Sequence, residues 1–196
     1  MRGIQWIAIP TTLLAMVDAS LGGKTGIDLP EGKNLVGSFD PPKLVLADPS
    51  LLLTLGDRDL RSGMAEVVKH GIISDPGLFE MCMQGMDWGR HNLETIVKHA
   101  MAVKIKVIEE DPYEKGIRAA LNLGHTVGHA VELVSNFDLR HGEAIAIGMV
   151  AEAKYAERIG IAGSGLADKI TETLFNLGLP VEIPVEMPRE KIIRAM

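Results

Sequence analysis

Apolar residues follow two rhythms along this chain, and the change comes near residue 55. Before it they sit in short runs broken by Gly, Pro and Asp. After it they recur every three or four residues, the period of an amphipathic helix. Ile4 to Ile9 is one such run, ended by Pro10, and predicts a short buried strand. Thr11 or Thr12 can cap a short helix over Leu13 to Ala19. Pro30-Glu31-Gly32 lies between two extended pieces, so Ile27 to Phe39 predicts a small hairpin. Asp40-Pro41-Pro42 breaks the chain, and Leu44 to Ala47 predicts a second buried strand. Asp48-Pro49-Ser50 then opens the region Leu51 to Thr54.

From Asp57 onward the pattern is helical. Met64, Val67 and Val68 mark one apolar face of a helix over Arg58 to His70. Asp75-Pro76 opens another through Met83, and Asn92 to Glu110 predicts a long one. The stretch from Asp111 to Gly116 is a polar break. His125 and His129 share the next helix, and Gly142 to Arg158 forms one rich in Ala and Gly, suited to close packing. Leu166 to Leu177 ends at Gly178 and Pro180, and Pro188 opens a last helix. The expected class is mostly α, with a few short strands near the N-terminus. Residues 1–55 form the strand and hairpin segment, and 56–196 the helical domain.

Composition adds exclusions. An apolar share of 46% supports a folded core, and a formal net charge of -6 argues against a nucleic-acid partner held by bulk electrostatics. The one cysteine, Cys82, permits no internal disulfide and fits a reducing compartment. Arg2 followed by Ile4 to Val17 has a faint look of a signal peptide, but Gln5, Pro10, Thr11 and Thr12 interrupt it, and no A-x-A cleavage site follows. No apolar run approaches the roughly 18 residues of a membrane span. The expectation is a soluble, cytoplasmic protein with no membrane partner.

Several groups could carry chemistry. Gly22-Gly23-Lys24-Thr25-Gly26 invites comparison with a nucleotide P-loop, but the first glycine of that pattern would fall on Asp18, and no strand leads into the loop. An anion held by backbone N–H groups beside Lys24 and a plain tight turn both remain open. Glu66 and Lys69, three apart on a helix, ordinarily make a surface pair. Lys98, His99, Lys104 and Lys106 give the long helix a basic face, ordinarily a solvated one. His125 and His129 leave the same helical face, with His141 nearby in sequence. Thr126 defeats the zinc-protease pattern, which needs Glu there, so a metal pair, a catalytic pair and two exposed helix histidines all stay open. Taken together, Asp18, Lys24, Lys33, Asn34, Glu66, Lys69, Lys104, Arg118, Asn122 and the three histidines form a basic set in an acidic protein. If they converge, they suit a small anionic ligand such as a phosphorylated or carboxylated sugar. A carboxylate with two histidines is also a common catalytic zinc shell.

The run Ile9-Pro10-Thr11-Thr12-Leu13-Leu14-Ala15-Met16-Val17-Asp18, the loop Gly22-Gly23-Lys24-Thr25 and the piece Gly32-Lys33-Asn34 resemble the 3-dehydroquinate synthase family. So do the run Gly63 to Lys69, the motif Asn122-Leu123-Gly124-His125-Thr126-Val127-Gly128-His129, and His141-Gly142-Glu143-Ala144. The resemblance runs in order from residue 2 to about residue 160. It implies an N-terminal α/β domain that binds NAD, followed by a mostly helical metal-binding domain, and a homodimer for the full-length enzyme. The implied reaction converts 3-deoxy-D-arabino-heptulosonate 7-phosphate to 3-dehydroquinate and phosphate in the shikimate pathway. NAD transiently oxidises a hydroxyl, phosphate is eliminated, the ketone is reduced, and an intramolecular aldol closes the ring.

Carried over by position, the resemblance makes Glu66, His125 and His141 ligands of zinc or cobalt. Arg2, Asp18, Lys24, Asn34, Lys69, Lys104, Arg118, Asn122 and His129 become residues around the substrate. Thr11, Thr12, Lys33 and Leu51, Leu52, Leu53 and Thr54 fall on the NAD side, with Lys24 shared between the two. Two departures stand out. No G-x-G-x-x-G occurs in the chain, and a family lysine near the C-terminus lies beyond Met196. The resemblance therefore implies a C-terminal portion that joins an NAD-binding half near residue 55. Other readings are a related sugar-phosphate cyclase making an inosose or a valiolone, a metal-dependent alcohol dehydrogenase, and an inactive metal-binding or dimerisation module.

Overall fold

The structure, a computed structural model, describes residues 4–29 and 32–196, and side chains outside 28–35. Eight α-helices among the described residues make up most of the fold. They are α1 (Asp57–Ser74), α2 (Pro76–Cys82), α3 (Gly85–His91), α4 (Leu93–Glu110), α5 (His125–Val134), α6 (His141–Arg158), α7 (Leu166–Asn176) and α8 (Arg189–Ala195). Two small sheets precede them. The strand β1 (Ile7–Ala8) pairs in parallel with β4 (Leu44–Val45), and β2 (Lys24–Leu29) runs antiparallel to β3 (Gly32–Phe39). The mostly α class with a few N-terminal strands is what the chain adopts. Among the described residues no helix is long and apolar enough to cross a membrane.

The helix α1 is the centre of the molecule, because every residue from Ser62 to Gly71 is buried. A helix covered all round needs neighbours on every side. Here α2, α4, α6 and a π turn at Ala15–Ala19 supply them. Glycine makes two of these approaches possible. A Cβ on Gly63 would lie 2.6 Å from the Cβ of Leu13, and one on Gly71 would lie 2.8 Å from the backbone of Phe79. The main core gathers around this helix, with Leu60, Met64, Val67 and Val68 meeting Leu13, Met16, Ile96, Ile145 and Met149.

The pair α5 and α6 is bound just as closely. Gly128 lies against Ile145, and a Cβ on Gly148 would stand 1.9 Å from the carbonyl oxygen of Gly124. Gly124 itself takes a left-handed φ of 81°, which glycine adopts without strain and which turns the chain into α5. A carboxylate secures that turn, since Glu152 of α6 accepts a hydrogen bond from the Gly124 N–H at 2.7 Å.

The expected buried strands need correction. Only two residues pair in each, and Ile7, Ile9, Leu44 and Leu46 are each more than half exposed. An unbroken apolar run marks a strand that can be covered on both faces, but does not supply the cover. The short helix expected over Leu13 to Ala19 is instead wound as a π turn over its last five residues. The two extended pieces pair antiparallel, with Lys24 as the first residue of β2 and not in the loop, while Pro30 and Glu31 of the expected turn lie outside the described residues. The helix α3, whose residues are mostly polar or glycine, had no expectation of its own.

Gly148→Ala tests the α5–α6 contact. Alanine favours a helix by about 1 kcal/mol over glycine, whereas forcing a methyl into packed backbone costs roughly 1–3 kcal/mol or more. At 1.9 Å from a carbonyl oxygen the clash should win. Urea unfolding should show a net loss of about 2 kcal/mol.

Candidate metal and anion site

On α1, Glu66 and Lys69 turn to one side and form an ion pair in which both side chains are almost wholly buried. The surface pair that spacing alone suggests is thus excluded, in line with what the resemblance implied, because α1 has no solvent side at this level. From α4, Lys104 reaches across to the π turn and donates to both Asp18 Oδ1 at 2.6 Å and the Asp18 carbonyl at 2.7 Å. That corrects the solvated face expected for Lys104, which packs against the π turn while Lys106 stays exposed. Lys69 Nζ and His70 Nε2 each lie 3.8 Å from Asp18 Oδ1. The result is a chain of alternating charge: Lys104, Asp18, Lys69, Glu66.

This alternation sets the protonation states. Burial alone would raise the Glu66 carboxyl, but Lys69, together with His141 and His125, outweighs it and brings the pKa to about 2. Burial likewise opposes ionisation of Asp18, yet His70, Lys104 and Lys69 hold it well below the usual carboxylate range. Both carboxylates are charged at neutral pH.

Three imidazoles close over Glu66. His125 opens α5 and His141 opens α6, with ring centroids 5.5 Å apart, and His129 lies 5.0 Å from His125 and 5.8 Å from His141. The position of His141 follows from its neighbour. Gly142 rests on Ser62, and its N–H donates to Ser62 Oγ at 3.0 Å, one helical turn before Glu66. From Glu66 Oε1 the distances are 3.4 Å to His141 Nε2 and 3.7 Å to His125 Nε2.

These residues fit a divalent cation. Tetrahedral zinc with ligands near 2.0–2.1 Å spaces its donor atoms about 3.4 Å apart. Lys69 engages Oε2 of Glu66, while Oε1 makes no hydrogen bond and faces the two imidazoles. The Leu123 carbonyl lies 3.1 Å from His125 Nδ1, and since it can only accept, it places the proton there and the lone pair on Nε2. Burial lowers the His125 pKa to about 4, leaving the neutral ring that metal binding needs.

Beside this centre lies a second polar group. Lys24 pairs with Glu114, and Asn122 Nδ2 donates to the other Glu114 oxygen at 3.1 Å. Arg118 is buried and donates to the carbonyls of Pro112 at 2.7 Å and Gly22 at 3.4 Å, tying the glycine turn to the segment before α5. The structure thus groups Asp18, Glu66, Lys69, Lys104, His125, His129 and His141, and separately Lys24, Arg118 and Asn122. Arg2 and the side chains of Lys33 and Asn34 lie outside the described residues. Thr11 and Thr12 open the π turn, where Thr12 Oγ1 accepts from the Ala15 N–H. Leu51, Leu52, Leu53 and Thr54 lie in a 3-10 turn, Pro49–Thr54, that packs against α4. The Leu52 side chain enters the core, so only its backbone is open to a cofactor.

Sequence reasoning passed over His70, Glu114, Glu132 and Glu152. Glu132 had a signal, since it falls three and seven residues after the two α5 histidines, on their face of the helix. Glu114 showed only a polar break.

Comparison with known proteins identifies the family. The family model described as 3-dehydroquinate synthase C-terminal matches residues 63–196, and that described as 3-dehydroquinate synthase N-terminal matches residues 1–62. The chain belongs to the 3-dehydroquinate synthase family. It is 43% identical over 203 residues to the 3-dehydroquinate synthase of Synechocystis sp., covering 100% of this chain and 56% of the relative. Against that of Pseudarthrobacter chlorophenolicus it is 49% identical over 185 residues, covering 92% of this chain and 51% of the relative.

Among solved structures, ValA, a 2-epi-5-epi-valiolone synthase from Streptomyces hygroscopicus subsp. jinggangensis with NAD+ and Zn2+ bound, superposes with a TM-score of 0.88 at 30% identity. A 2-deoxy-scyllo-inosose synthase complexed with carbaglucose-6-phosphate, NAD+ and Co2+ gives 0.86 at 32% identity. Each is matched over 99% of this chain and about half of its own, 55% and 54%. The chain spans about half the length of the curated relatives it matches.

Asp18→Asn tests the charge chain. Leaving Lys104 buried without its counter-ion should cost about 3 kcal/mol in urea unfolding at pH 7. The folded carboxyl titrates below its unfolded value, so the stabilisation is fully present above about pH 4. It is lost as pH falls through the folded value, and the gap between the two proteins should narrow there.

Proposed function

We infer that this chain is the metal- and substrate-binding portion of an enzyme that converts 3-deoxy-D-arabino-heptulosonate 7-phosphate to 3-dehydroquinate and phosphate, a phosphate-eliminating lyase of the shikimate pathway. The observation that carries the reading is the convergence of Glu66, His125 and His141, from three helices, beside a row of buried cations. The curated relatives, at 43–49% identity, bear the name of that activity. The two solved neighbours bound NAD+ with Zn2+ or Co2+, which supports the same cofactors here.

Glu66, His125 and His141 would hold the metal, zinc or cobalt, which when bound acts as a Lewis acid toward substrate oxygens. Around it the chain's own groups orient an anion. Lys69 and Lys104 stand in the wall with Asp18, and Arg118, Lys24 and Asn122 face the side where a phosphate or carboxylate would lie. His129 would contact the substrate and move a proton, a role supported by its sharing the cluster without belonging to the Glu66 group. The bare apolar face of β1 and β4 suits continuation of a parallel sheet, so NAD would bind on the side of Thr11, Thr12 and Leu51 to Thr54. A single buried cysteine and the absence of a membrane-spanning helix among the described residues support a cytoplasmic enzyme.

Two measurements test this. Glu66→Ala, His125→Ala and His141→Ala should each lose the bound ion in metal analysis, while His129→Ala keeps it. If His129→Ala strips the metal and His141→Ala does not, the ligand set is wrong. For the activity, the chain joined to the NAD-binding half of a relative should release phosphate from the heptulosonate substrate with NAD and Co2+. Turnover of glucose 6-phosphate or sedoheptulose 7-phosphate in its place would move the assignment to another cyclase.

A further inference from the structure

Glu132 takes no part in the reading above, yet its carboxylate lies inside the histidine cluster. The side chain is 7% exposed, and Oε2 is 3.6 Å from His141 Nδ1. Donor atoms of His129, Glu132 and His141 all fall within 4.8 Å of one another. The backbone beneath it is pinned. Its carbonyl accepts from Ser135 Oγ at 2.7 Å and from the Phe137 N–H at 3.0 Å, where Asn136 and Phe137 turn left-handed to end α5. A carboxylate held this firmly and this far from water is costly unless its neighbours give it positive charge or protons.

His141 offers Nε2 to Glu66 and Nδ1 to Glu132. A neutral imidazole has one N–H and one lone pair, and the acceptor on one side decides which nitrogen carries which. For His125 the Leu123 carbonyl makes that choice. His141 has a carboxylate on the Nδ1 side, so a cation that takes the Nε2 position would leave the remaining proton on Nδ1, facing Glu132. The charge matters as well. Glu66 is already engaged by Lys69, so a divalent cation gains from a second negative group close by.

We propose that Glu132 is a positioning residue: it fixes the tautomer and orientation of His141 and supplies second-sphere negative charge to a divalent cation bound by Glu66, His125 and His141. This rests on the metal reading of those three residues. The competing arrangement, a second cation held by His129, Glu132 and His141, would need both ring nitrogens of His141 as ligands and so a deprotonated imidazole.

The test titrates Co2+, followed by its visible bands, and Zn2+, against a competing chelator, into the 196-residue chain and its Glu132→Gln and Glu132→Ala variants. One equivalent should bind in each case. Affinity should fall about tenfold for Gln, which still accepts from Nδ1–H, and about 100-fold for Ala, with altered Co2+ bands. Urea unfolding of the metal-free Gln variant checks that its fold is kept, and that variant alone decides if the Ala protein does not fold. Binding by Glu132→Gln within about threefold of the unmodified chain, with unchanged bands, overturns the proposal. So does a second equivalent in the unmodified chain that the substitutions abolish. Absence of any bound ion in the unmodified chain would instead strike the metal reading itself.

Discussion

A carboxylate with no solvent exposure stays ionised only where its surroundings replace water, and Glu66 sits in that position in the middle of α1. Burying a charge costs several kcal/mol, and one ion pair seldom returns more than it costs. The ion pair with Lys69 therefore does not explain the residue as a source of stability. One carboxylate oxygen, Oε1, turned toward two imidazoles does explain it, under the proposed reading of this cluster as a cation site. The need to keep Glu66 dry dictates that α1 be covered on all sides. That in turn dictates small residues wherever a neighbour must come close.

Those close approaches bring the proposed ligands together. Gly142 lets the first turn of α6 rest on Ser62, which brings His141 to Glu66, while Gly124, Gly128 and Gly148 let α5 press into α6 and carry His125 inward. Glu152 then caps the start of α5 from α6. Glu66, His125 and His141 each come from a different helix, and each helix is fixed to its neighbour within a few residues of that side chain. The π turn has the same use on the other side, since its extra residue per turn accompanies the turning of Asp18 toward Lys104 and Lys69.

Helix positions were legible because a period of three to four residues reports a buried face directly. What the period does not report is which element supplies the cover. Glu66 and Lys69 have the spacing of any surface pair, and only the glycines of α1 hinted that this helix had no surface. Lys104 shares its helix with exposed basic residues and differs from them only in what packs opposite. The spacing of His125 and His129 suggested a shared ion, whereas the nearest match to ligand geometry joins His125 to His141, 16 positions away in sequence. Family resemblance draws a different line from spacing, joining His125 to Glu66 and His141, because it carries information about distant contacts. Glu114 escaped both, since a carboxylate in a polar loop looks like solvent-facing filler.

The pairing of charges also says which cations a ligand can recruit. Lys69 and Lys104 are committed to Glu66 and Asp18 inside the protein, where losing a partner would strand a buried charge. Lys24 pairs with Glu114 at the surface, with side-chain exposures of 51% and 24%, and a pair of that kind is worth at most about 1 kcal/mol. Exchanging Glu114 for an incoming anion at Lys24 and Asn122 is therefore cheap, and Arg118, already fixed through two carbonyls, adds charge without reorganisation. The deep cations keep the wall of the site in place. The shallow group is the part that can let go of its own carboxylate, so under the proposed function the anionic end of a substrate would be taken up there.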